Sequence, residues 1–78
     1  MQNLIKATKA VFSEFNEASF QEDMLLAEIP GWDSMNSVNF TLELESVFGV
    51  NCNALQLGPN STFADVVRFL QENGVDPS

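Results

Sequence analysis

The 78-residue chain has no histidine and no tyrosine, one cysteine, and three basic residues. Each shortage closes off a class of chemistry. Without histidine the usual general base and the commonest metal ligand are missing, and no Ser-His or Cys-His pair can form. The single thiol, Cys52, permits neither an intramolecular disulfide nor a cysteine zinc site. An unpaired thiol fits a reducing cytoplasm, so a cytoplasmic location is expected, with Cys52 as a small core filler. Apolar runs are two to four residues long, too short for any membrane-spanning helix. The N-terminal stretch Met1-Gln2-Asn3-Leu4-Ile5-Lys6 has no hydrophobic segment followed by a small-residue cleavage site, so it is not read as a secretory signal. Carboxylates alone remain for acid–base work, and so small a body offers little depth for a cleft. An independent enzyme is not expected.

Acids, by contrast, are plentiful. Eleven of them against three bases give a formal net charge of −8. Such a surface repels nucleic acid phosphates and anionic membranes and favours partners with basic patches. A hydrophobic content of 45% belongs to a folded chain, and 78 residues make a single domain near the lower limit for an unstapled core.

The apolar spacing reads as helical throughout. Leu4, Ile5, Thr8, Val11, Phe12 and Phe15 recur at intervals of three and four, which predicts a first amphipathic helix over 3–16. From Asn16 to Trp32 no period is sustained and Pro30-Gly31 intervenes, so a long loop is expected, pinned to the core by Leu25, Leu26 and Ile29. The second helix spans 34–48 and stops at Gly49. Asn51 to Leu57 reads as one short further turn of helix, ended by Gly58-Pro59. The last helix runs from about Phe63 to Glu72, with Thr62 as N-cap, Asp65 completing a capping box, and Phe63, Val66, Val67 and Leu70 as its buried stripe. The sum is an all-α fold, a small antiparallel bundle of three main helices plus one short helix, and a monomer is expected. The EF-hand, another small acidic helical design, is ruled out because no Asp-x-Asp-x-Asp-Gly loop is present.

Within the second helix, Phe40, Thr41, Leu44, Val47 and Phe48 form a complete inward stripe. Met35, Val38 and Leu42 then fall on another face, bordered by Asn39, Glu45 and Ser46. Two readings fit them: an exposed apolar strip with a polar rim, as at a transient protein contact, or a helix buried on two sides. Ser34 is also open to two readings. It stands where a serine commonly serves as N-cap, a job Asp33 could also do. It equally stands where a covalently attached phosphate would face free backbone N–H groups and the positive end of the helix dipole.

Asp33-Ser34-Met35 at a helix start, followed by a helix ending in Glu45-Ser46-Val47-Phe48-Gly49-Val50, resembles the attachment site and second helix of acyl carrier proteins. The likeness extends over essentially the whole chain. It implies a non-enzymatic carrier that holds acyl, or aminoacyl, groups as thioesters on a 4′-phosphopantetheine arm. The arm would be attached to Ser34, from coenzyme A and with Mg²⁺, by a phosphopantetheinyl transferase that also recognises Asp33. Met35, Val38, Leu42 and Glu45, with Asn39 beside them, would meet partners: an acyl or aminoacyl ligase, a ketosynthase, or another acyl-processing enzyme of fatty-acid or polyketide biosynthesis. Trp32 before Asp-Ser is more like carriers of specialised pathways than the housekeeping fatty-acid carrier. Asn36 and Asn39 replace residues commonly acidic in fatty-acid carriers, and Asp33 replaces the histidine of peptidyl carriers. The competing expectation is a helical interaction domain in which Ser34 is only a cap.

Overall fold

A computed structural model describes residues 1–77. Its three α-helices are α1 (Gln2–Val11), α2 (Ser34–Phe48) and α3 (Phe63–Glu72). No strand forms among the described residues, only an isolated antiparallel bridge between Leu25 and Thr62. The all-α class read from the periodicity is what the chain adopts, and α2 and α3 cover the expected residues.

Helix α3 follows its sequence signals closely. Thr62 accepts from the Asp65 amide while the Asp65 carboxylate accepts from the Thr62 amide, at 2.9 Å for the latter. Two of the helix's orphan donors are satisfied by this reciprocal pair. Phe63, Val66, Val67 and Leu70 are all buried.

Helix α1 is shorter than expected. It ends at Val11, and Phe12 takes φ −112°, ψ 84°. The apolar spacing runs on to Phe15, but the two aromatic rings have different destinations. Phe12 stacks on Trp32 and tilts against Phe40, whereas Phe15 tilts against Phe63 of α3. A turn, closed by the Phe15 amide on the Phe12 carbonyl at 3.0 Å, lets both rings enter the core from outside a helix. Thr8, the one buried polar side chain among the described residues, donates its hydroxyl to the Leu4 carbonyl at 2.8 Å.

The loop over residues 12–33 carries two short 3₁₀ helices, Glu17–Ser19 and Leu26–Glu28. Leu26 and Ile29 are buried and Leu25 is half-buried, as the sequence suggested. The Leu26 amide donates to the Ser61 carbonyl at 2.8 Å, and the Ala64 amide donates to the Glu22 carbonyl at 2.7 Å. These bonds stitch the loop to the start of α3, while α1 and α2 pack directly on each other.

The short helix expected over Asn51 to Leu57 does not form, so the fourth helix of the expected bundle is absent from the described residues. Asn51 turns its side-chain carbonyl onto the Asn53 amide at 2.8 Å, and the Cys52 amide is taken by the Glu45 carboxylate at 2.9 Å. Side-chain acceptors thus replace the helical ladder. A turn closes from the Leu55 amide to the Cys52 carbonyl.

Candidate functional site

The approach to Ser34 is built by a tight turn. The Trp32 amide donates to the Ile29 carbonyl at 3.0 Å across Pro30-Gly31, and Gly31 holds φ +89°. Proline followed by a glycine of positive φ is the pattern of a type II turn. A side chain at position 31 would have room, meeting only Phe12 at 3.8 Å, but would strain the backbone. Asn36 braces the same turn by donating its side-chain amide to the Gly31 carbonyl at 3.0 Å.

Asp33 is the N-cap of α2. Its carboxylate accepts from the Asn36 amide at 2.7 Å and its carbonyl from the Ser37 amide at 2.9 Å. The capping role, open to either residue in the sequence, therefore falls to Asp33, and Ser34 becomes the first residue of the helix. Ser34 is exposed, and no described hydrogen bond occupies its hydroxyl. Its own amide and that of Met35 precede the first carbonyl the helix can offer them. An exposed hydroxyl thus sits beside helix-start N–H groups, which favour an attached anion.

Beside Ser34 lies an open groove of about 260 Å³, lined by Ala27, Trp32, Asp33, Ser37, Leu57 and Pro59 among others. A depression of about 280 Å³ on α1, between Lys6, Lys9 and Glu17, is slightly larger but presents no hydroxyl or thiol.

Helix α2 turns Phe40 and Leu44 fully inward, with Thr41 and Phe48 half-buried at the margin. Val47, expected inside, is 37% exposed at the flank of that stripe. Met35, Val38 and Leu42 are exposed at 73%, 57% and 57%, which excludes burial of α2 on two sides. Asn39, also exposed, donates to the Asn36 side-chain carbonyl at 3.3 Å. Glu45 is half-buried and commits one carboxylate oxygen to the Cys52 amide. Its structural bond was not foreseeable from helical spacing, because the partner lies beyond the Gly49 stop.

Cys52 is buried in the core, as expected for a filler. Burial, and then the neighbouring Glu45 charge, push its thiol above the ordinary value of 9.0, so it stays protonated and a poor nucleophile at neutral pH. Among the described residues no group of histidine, cysteine and carboxylate side chains is arranged to hold a metal ion. No described helix is long and apolar enough to cross a membrane. No family model, curated protein or solved structure matches this chain.

Proposed function

We propose that this chain is a cytoplasmic carrier of acyl or aminoacyl groups, with an acyl-carrier-like fold, activated by a phosphopantetheinyl transferase at Ser34. The observation that carries the reading is the division of labour at the start of α2. Asp33 caps the helix, which leaves the exposed Ser34 hydroxyl with no structural bond to give up. A serine present only for capping would be expected to hold that bond itself.

The residues fit the group the reading requires. In the transfer the Ser34 oxygen would lose its proton and displace the nucleotide part of coenzyme A, giving a phosphodiester at the helix N-terminus. The Ser34 and Met35 amides and the helix dipole favour that negative charge. The attached arm supplies a terminal thiol that holds cargo as a thioester. Asp33 supports recognition by the transferase, and its position beside an exposed serine suits metal-assisted chemistry performed by the partner.

The Met35-Val38-Leu42 strip serves as the docking face, with Asn39 and Glu45 at its rim. Its apolar centre and modest charge suit transient contact with a transferase, then a ligase, ketosynthase or other acyl-processing enzyme. Met35 suits successive partners because its flexible thioether fits differently shaped pockets.

The test is an intact mass after incubation with a broad-specificity transferase, coenzyme A and Mg²⁺. The wild type should gain one phosphopantetheine and Ser34→Ala none. A wild type that gains nothing, or a Ser34→Ala variant that gains the same mass, contradicts the reading.

A further inference from the structure

The groove beside Ser34 has a distinctive wall. Trp32 lines it, yet the same ring stacks on Phe12 at 5.5 Å between centroids and meets Phe40 edge-on at 6.3 Å. Phe12 and Phe40 are 2% and 0% exposed. Trp32 therefore lies between the groove it lines and two buried rings, Phe12 and Phe40, of the core that also holds Leu44 and Leu70. A chain entering the core through this wall would have to break the stack, whose rings each bury a large apolar area. The groove is already open and needs no such rearrangement.

We propose that Trp32 positions the pantetheine arm along this groove and keeps its cargo out of the core, so that the carrier suits small or polar acyl groups held at the surface. The inference rests on the carrier reading of Ser34. Both halves of the groove's lining match the arm. Trp32, Leu57, Pro59 and Ala27 offer apolar contact for its methyl and methylene groups. The Ser37 hydroxyl donates to the Ser34 carbonyl at 2.8 Å and keeps lone pairs free to accept from an amide N–H of the arm.

Size sets the cargo class. At about 260 Å³ the groove is smaller than the sites that enclose drug-sized ligands, which begin near ~300 Å³. An arm laid along it would take up much of that open space, and the groove offers no enclosed site for a long hydrocarbon. A long chain would stay in water at full hydrophobic cost, whereas a short or polar group loses little there.

Trp32 is the only tryptophan, so its fluorescence reports on this wall alone. The apo, holo, butyryl and dodecanoyl forms are to be compared by emission and by the amide chemical shifts of Leu44, Val66 and Leu70, after intact mass has verified each loading. Trp32 emission should shift from apo to holo and then stay constant with either cargo. The three core amides should not move in any form. In Trp32→Ala, dodecanoyl should reach the core and shift them, while Trp32→Phe, which keeps the stack, should behave as wild type. A verified holo protein with unchanged Trp32 emission, or wild-type core amides that move with dodecanoyl, overturns the inference and leaves the carrier reading standing. Failure to gain mass at all would instead break the carrier reading. If Trp32→Ala does not fold, the wild-type comparison alone decides.

Discussion

Helices α2 and α3 use similar apolar residues to opposite ends. In α3 Phe63, Val66, Val67 and Leu70 turn inward with Phe69 half-buried beside them, and a capping box fixes the first turn. In α2 they divide: Phe40 and Leu44 enter the core while Met35, Val38 and Leu42 face solvent. A helix that only had to fold would carry polar residues on its outer face. The contrast separates a helix whose buried stripe accounts for its apolar residues from one that also exposes an apolar strip, and it can be broken by substitution on either side.

The largest effects should come from the inward faces. Phe40→Ala or Phe63→Ala should each cost about 3–5 kcal/mol, the range for emptying a buried aromatic site. Either change threatens to unfold a domain of this size, whose whole stability is of that order. Urea unfolding measures this, and a loss below about 1 kcal/mol would mean that the ring is not held as described.

At the outward face the prediction reverses. Met35→Ala should leave stability within about 0.5 kcal/mol of wild type. Binding to the transferase or to a ligase should nonetheless weaken by about 1–3 kcal/mol if the side chain is buried in a partner pocket. Neutralising the rim, in Glu45→Gln, should cost partner binding less, roughly 0–1 kcal/mol. Glutamine retains an acceptor for the Cys52 amide, so the fold is spared. Titrations at low and moderate salt separate the two contacts. A Glu45→Gln defect that exceeds that of Met35→Ala and vanishes with salt would show that charge, and not apolar burial, governs docking.

The caps give an intermediate comparison. Thr62→Ala should destabilise α3 by ~1 kcal/mol, the usual worth of a lost N-cap. Ser34→Ala should change stability very little, because Asp33 holds the cap of α2. Equal losses in thermal or urea unfolding would return Ser34 to a structural role.

The smallest effect concerns pH. The Cys52 thiol is raised above 9.0 by burial and by Glu45, so folding favours its protonated form. That stabilisation is complete below the unfolded thiol's pKa and is lost as pH rises through the higher folded value. Relative to Cys52→Ala, the wild type should therefore lose stability on going from neutral to strongly alkaline pH. Parallel pH curves for the two proteins would contradict this placement of the thiol.

The contrast between the helices also sets what could be read from the sequence. Helix α3 was legible in full because its cap, period and Asn73-Gly74 stop all act within a few residues of one another. The limits of α2 were legible for the same reason, from Asp33 to Gly49. The end of α1 was not, since Phe12 and Phe15 keep helical spacing while long-range partners, Trp32 and Phe63, draw them into a turn. Similarly, the bond from the Cys52 amide to Glu45 crosses a helix end and leaves no periodic trace. At the candidate site the sequence supplied Asp33-Ser34-Met35 and the apolar strip. It did not say which of two adjacent oxygen-bearing side chains would cap the helix, because either could. Nor did it reveal the groove, which joins Ala27 and Trp32 to Leu57 and Pro59 across segments far apart in the chain.

The most direct test of the central claim is to locate the modification, not merely detect it. Ser34 and Ser37 lie one turn apart on α2, but the Ser37 hydroxyl is engaged with the Ser34 carbonyl while that of Ser34 is unbonded. After treatment with transferase and coenzyme A, fragment-ion mass spectrometry of the peptide containing both should place the phosphopantetheine on Ser34 alone. An unmodified peptide, or a label on Ser37, would contradict the account.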